Sequence, residues 1–156
     1  MENDDTWTVR AIGYVSSSRT EAIDDDWGGV DATITLVPPY GPDSVLGLAE
    51  FSHIEVIYVF HQVDPDSAHT GSRVPRGNPA WPAVGILAQR AKFRTNRLGL
   101  ATCELLAVDG SVLRVRGLDA IDGSPVLDIK PYMSEFAPRN TVTQPAWSHE
   151  LMAGYY

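Results

Sequence analysis

Residues 101–116, ATCELLAV followed by Asp109-Gly110 and SVLRVR, decide the architecture. Two β-rich runs, 101–108 and 111–116, flank the Asp-Gly pair. That arrangement is a strong short-range signal for an antiparallel hairpin, because glycine accepts the left-handed backbone of a tight turn. Working outward, residues 53–60 (HIEVIYVF) are nearly continuously apolar and predict a central strand. Residues 8–15 (TVRAIGYV) and 32–37 (ATITLV) are rich in apolar and β-branched residues and predict two earlier strands. Asp122-Gly123 predicts another turn, and 126–129 (VLDI) a short final strand. Only 43–51 has the makings of a helix, with Asp43 or Ser44 as its cap. Strands with turn punctuation and almost no amphipathic helix predict an all-β fold, a single-domain barrel with at most short helices in its connections and C-terminal tail. The barrel is expected over residues 7–137, between an acidic extension at 1–6 and a tail at 138–156. That tail carries Trp147, Tyr155 and Tyr156. It is expected either to pack on a neighbour or the barrel mouth, or to fray.

Composition bounds the function. The chain has 156 residues, 44% hydrophobic and 21% charged, the balance of one packed core rather than a disordered chain. No apolar run approaches the roughly eighteen residues of a membrane span. The opening MENDDTWTVR lacks the charged-then-apolar order of a secretion signal. One cysteine, Cys103, cannot form an internal disulfide, which points to a reducing, cytoplasmic compartment. A net charge of −8 argues against indiscriminate nucleic-acid binding. The charge is uneven, however. Residues 73–97 hold Arg73, Arg76, Arg90, Lys92, Arg94 and Arg97 with no acidic residue. Interleaved with Gly, Pro and Asn, these predict an anion-facing site rather than a merely solvated loop pair.

Several chemistries are not announced. There is no GxGxxG after a strand and no GxxxxGK[ST], so neither common nucleotide loop is present. His53, His61, His69 and His149 have no metal-ligand spacing. Ser16, Ser17 and Ser18 lack a nucleophile-elbow pattern, and Cys103 among apolar neighbours reads as a structural thiol.

The run 45–53 (VLGLAEFSH), leading through Val59-Phe60-His61-Gln62, resembles the TrmO family, also called TsaA-like or YaeB-like. The resemblance continues at Pro75-Arg76-Gly77, at 90–99 (RAKFRTNRLG) and at 117–132 (GLDAIDGSPVLDIKPY), its most specific block. It implies a β-barrel methyltransferase that uses S-adenosyl-L-methionine and acts as a homodimer on the N6 nitrogen of threonylcarbamoyladenosine beside the tRNA anticodon. By the family pattern, the cofactor would be held by His61, Gln62, Arg90, Leu100, Asp119, Ala120, Ile121 and Asp122, with Trp27 and Gly28 contributing from an earlier loop. The chain departs from the family at Arg94-Thr95-Asn96-Arg97, where both prolines of an RPNP-like loop are missing, and at the acidic run Asp24-Asp25-Asp26.

Methyl transfer from a sulfonium is an in-line displacement, so the protein chiefly aligns two molecules. Asp119 and Asp122 suit a ribose diol or an ammonium, and Arg90 suits a carboxylate. Asp128, Lys130 and Tyr132 alternate along one strand and so share a face. They are expected as the catalytic group that orients the acceptor and manages its proton, the alternative being a structural ion pair with Tyr132 packed outward. Arg76, Arg94 and Asn96 are the expected contacts to an anionic acceptor. Besides tRNA, two other readings stay open: a small nucleoside-like or carboxylated acceptor, and a non-catalytic cofactor-binding protein.

Overall fold

The computed structural model describes residues 5–156; residues 1–4, most of the expected acidic extension, lie outside the described residues. The strands are β1 (Gly13–Ser17), β2 (Asp31–Leu36), β3 (His53–Val59), β4 (Ser72–Arg73), β5 (Val84–Gly85), β6 (Leu98–Asp109), β7 (Val112–Arg116) and β8 (Pro125–Pro131), followed by one α-helix, α1 (Ala146–Met152). Six of them close into a barrel in the order β1-β2-β7-β6-β3-β8, every pair antiparallel, while β4 and β5 make a separate ribbon.

Period-two alternation fills the barrel. Ile34, Ile54, Val56, Leu113, Val115 and Val126 point inward and are fully buried, with Tyr58, Ala101 and Cys103 beside them. Burial pushes the Cys103 thiol up to about 12, so it stays a neutral packing group. The β6–β7 register pairs Asp109 with Val112, so the tight turn is Gly110-Ser111, one residue later than the Asp-Gly pair suggests. Gly110 supplies the left-handed backbone at φ 59.

Two expectations are corrected. β1 starts only at Gly13, so the first half of the run at 8–15 stays outside the sheet. The helix expected over 43–51 is instead two 3-10 turns, Pro42–Val45 and Leu48–Glu50. Gly47 between them takes φ 86, which an α-helix cannot absorb, and the N-cap is Gly41 rather than Asp43 or Ser44.

One irregularity positions the site. The β3–β8 register shifts between Ile57, opposite Asp128, and Tyr58, opposite Val126. This bulge keeps Val126 in the core with Tyr58 and turns Asp128 onto the outer wall.

Candidate functional site

The loop between β7 and β8 seals one end of the barrel. Leu118 and Ala120 are fully buried and Ile121 nearly so, so their side chains anchor the loop in the core and leave Asp119 and Asp122 as its polar groups. Tyr58, on the inner face of β3, donates its hydroxyl to both the backbone oxygen and Oδ1 of Asp119, each at 2.9 Å. Tyr155, from the segment after α1, donates to Oδ2 of the same carboxylate. Burial first, and then the adjacent carboxylate, hold both phenols well above their ordinary range, so they remain donors. Asp122 ties the loop to β1: its Oδ1 accepts from the Ser17 amide at 3.0 Å, and its own amide donates to the Arg19 carbonyl at 2.7 Å.

His61 follows β3 and lies against this loop. A Cβ added at Gly123 would stand 3.5 Å from its Nε2. Its Nδ1 is buried and has no hydrogen-bond partner among the described residues. Gln62, next in the turn, is exposed.

The early loop forms the opposite lip. Trp27 is buried, its indole N–H donating to the Ile23 carbonyl at 3.2 Å, and the Arg19 guanidinium stacks 4.0 Å over its ring. Arg19 also donates to the carbonyls of Asp26 at 3.0 Å and Asp25 at 2.9 Å, which fixes the loop's shape. Gly28 lies so close to the Tyr156 backbone that a Cβ there would fall 2.6 Å from its carbonyl carbon.

A second group occupies the outer wall. Arg90 donates to the Leu100 carbonyl at 2.8 Å. Leu100 is opposite Ile57, which is opposite Asp128, so the three make one row across β6, β3 and β8. Asp128 pairs with Lys130 at 2.9 Å and accepts from the Ile129 amide at 2.9 Å. The bond to Asp128 raises the Lys130 ammonium, which stays charged. The expected alternation ends before Tyr132, which lies just past the end of β8 with its amide donating to the His53 carbonyl at 3.0 Å. Tyr156 links this wall to the loop: burial and Asp119 push its phenol up, Arg90 pulls it down, and it settles at about 12.

The expected acceptor contacts are not brought together. Arg76 is paired with Asp25 at 3.2 Å and Asp24 at 3.7 Å. Arg94 Nη1 donates to the carbonyls of Gln89, Ile86 and Ala91, the first at 2.6 Å. Arg97 donates to the Val63 carbonyl at 3.0 Å. Asn96 is exposed in the turn between them.

Sequence reasoning missed Tyr58 and Arg19; the tail with Tyr155 and Tyr156, expected to pack on a neighbour or the barrel mouth or to fray, packs on the barrel end. Tyr58 carried a signal, being a phenol at an inward position of the central strand, where a buried hydroxyl needs a partner. Arg19 acts through the irregular loop at 23–27, whose shape has no sequence pattern to announce it.

These residues suit the expected cofactor. A fixed carboxylate at Asp119 offers acceptors for a diol or an ammonium, Arg90 offers a donor for a carboxylate, and the buried, unpartnered Nδ1 of His61 remains available.

Comparison with known proteins agrees with this arrangement. The model of the tRNA-methyltransferase O N-terminal domain matches residues 25–137. A probable S-adenosyl-L-methionine-binding protein of Methanothermobacter thermautotrophicus is 40% identical over 131 residues, covering 81% of this chain and 90% of that protein. The tRNA (adenine(37)-N6)-methyltransferase of Escherichia coli is 40% identical over 105 residues, which span 63% of this chain but only 43% of that enzyme. The crystal structure of TrmO from Pseudomonas aeruginosa superposes with a TM-score of 0.72 at 28% identity, covering 88% of this chain and 61% of that one. The closed six-strand barrel, the loop carrying Asp119 and the extent of these matches together establish that this chain belongs to the tRNA-methyltransferase O N-terminal domain family.

Proposed function

We propose that the protein is an S-adenosyl-L-methionine-dependent methyltransferase that methylates the N6 nitrogen of the threonylcarbamoyl-modified adenosine beside the tRNA anticodon. The observation that carries this reading is the Asp119 carboxylate, held at the barrel end by Tyr58, with His61 against Gly123 of the same loop and the Tyr156 phenol feeling both Asp119 and Arg90. Asp119 would take the ribose diol or the ammonium, Arg90 the carboxylate, and the backbone of Ala120, Ile121 and Asp122 would line the loop. The bound cofactor supplies an electrophilic methyl group. Asp128, clamped by Lys130, shares the Leu100–Ile57 row with Arg90's anchor and is the group assigned to orient the acceptor and take its proton, with Tyr132 beside it. Membership in the family and the relatives' methyltransferase names support the reaction class.

We also propose a homodimer, supported by Leu98 and Leu100, exposed on the same outer wall as Ile57. No helix among the described residues is long and apolar enough to cross a membrane, and the buried free thiol of Cys103 suits a reducing, cytoplasmic setting.

A small-molecule acceptor is the second reading. It is favoured by the arginines of the basic window, since Arg76, Arg94 and Arg97 are engaged within the chain rather than presented to phosphates.

Labelled S-adenosylmethionine supplied with tRNA and, separately, with a metabolite fraction tests both. Label in tRNA that falls at least tenfold in Asp128→Asn is the expected result; label only in small molecules assigns the second reading, and none in either overturns both. Transfer to tRNA should also weaken steeply with rising salt, as phosphate contacts require.

A further inference from the structure

Residues 154–156 lie in the cradle that the proposed function assigns to the cofactor. They bond to both of its lips. The Gly154 carbonyl accepts from the Asp26 amide at 3.0 Å, and the Tyr155 carbonyl accepts from the Trp27 amide at 2.8 Å. Tyr156 covers Gly28, and the Tyr155 hydroxyl occupies Oδ2 of Asp119. With Tyr58 on Oδ1, each oxygen of that carboxylate already accepts a donor. Behind this segment α1 is pinned to the loop after β4, where the Trp81 indole donates to Glu150 at 2.7 Å. The phenol thus occupies an acceptor that a diol or an ammonium would use, and the two backbone carbonyls occupy amide donors that the ligand's acceptor atoms, on adenine or carboxylate, would use.

The geometry points to residues 154–156 and S-adenosylmethionine as alternative occupants of one cradle, so that the tail is an intrachain competitor which must lift for the cofactor to bind. This rests on the cofactor reading above and adds its regulation. The anchor at Trp81–Glu150 sits outside the contested contacts, so the segment can leave the cradle while α1 stays docked. The tail then acts as a strap, and anything that holds it away raises cofactor occupancy.

Two measurements on the full chain test this. Calorimetric titration with S-adenosylmethionine compares the unsubstituted protein with Tyr155→Phe, which keeps the ring and removes only the bond to Asp119. Loss of a competing charge-assisted hydrogen bond should tighten binding about 10-fold. Hydrogen exchange at the Asp26 and Trp27 amides, in the unsubstituted protein, should accelerate when S-adenosylmethionine is added. Unchanged or weaker binding by Tyr155→Phe, or greater protection of those two amides, would overturn the competition while leaving the cofactor reading standing. Absence of binding by both proteins would instead remove the cofactor reading, and the strap's role with it.

Discussion

Arg94 stands in a basic window that reads, from sequence, as a contact for an anion. In the fold its Nη1 converges on the carbonyls of Ile86, Gln89 and Ala91, closing the loop between β5 and β6. A guanidinium reaches such a set because its N–H groups fan out in one plane, which an ammonium on a flexible stem does not reproduce. Arg94→Lys keeps the charge and should still cost about 1–2 kcal/mol of stability, measured as a shift in urea midpoint at unchanged slope. An unchanged midpoint, with weaker tRNA binding, would return Arg94 to the substrate surface. Arg76 illustrates the same lesson from the other side. Two members of the acidic run Asp24-Asp25-Asp26, a departure from the family pattern, neutralise Arg76. Residue type announced an electrostatic role in both places; only the fold says toward which partner.

Among the elements, β3 and β6 brace the site, because Tyr58 reaches Asp119 from the inner face of one and packs on Gly99 of the other. Tyr58 and Gly99 are paired across the strands, and a Cβ at Gly99 would overlap the Tyr58 ring. That ring is buried and tied by its hydroxyl, so it has little room to yield. Gly99→Ala should therefore destabilise the protein by about 1–3 kcal/mol, the range of overpacked cores, and lower its thermal midpoint. A midpoint equal to that of the unsubstituted chain would show that the ring moves freely. The central strand was legible for a simple reason: residues 53–60 are nearly continuously apolar, with only His53 and Glu55 charged or polar, and the observed β3 spans nearly the same range. The hairpin was legible because glycine marks its turn. The span 43–51 has the composition of a helix but breaks into two 3-10 turns at Gly47, whose left-handed backbone interrupts any helical run. The bulge at Ile57/Tyr58, which sends Asp128 outward, leaves no trace in composition or period, since one extra residue in a strand looks like any other.

For the whole molecule, the buried phenols set an alkaline limit. Tyr58, Tyr155 and Tyr156, with the Cys103 thiol, all have proton affinities raised in the fold by burial and, secondarily, by Asp119. Their unfolded counterparts ionise first, from about pH 8.5 for the thiol and about pH 10 for the phenols. Above those values the unfolded chain binds fewer protons than the folded one, so stability falls as pH rises and is intact below them. Thermal midpoints measured from pH 7 to pH 11 should hold to about pH 8.5 and then decline, steepening near pH 10. A flat profile to pH 11 would mean that these groups ionise alike in both states.

The same closure has a consequence for association. Open sheets present a row of free backbone donors and acceptors along their outermost strand, and a second chain can extend them by adding to that row. Here β1 and β8 pair with each other over Gly13–Tyr14 and Pro125–Val126, so the barrel has no outermost strand with a wholly free flank, and only the later part of β8, bonded to β3 alone, keeps a short open stretch. A second copy would therefore meet this barrel mainly through side chains, Leu98 and Leu100 on β6 being among the exposed apolar ones. The barrel therefore favours discrete complexes over open-ended polymerisation.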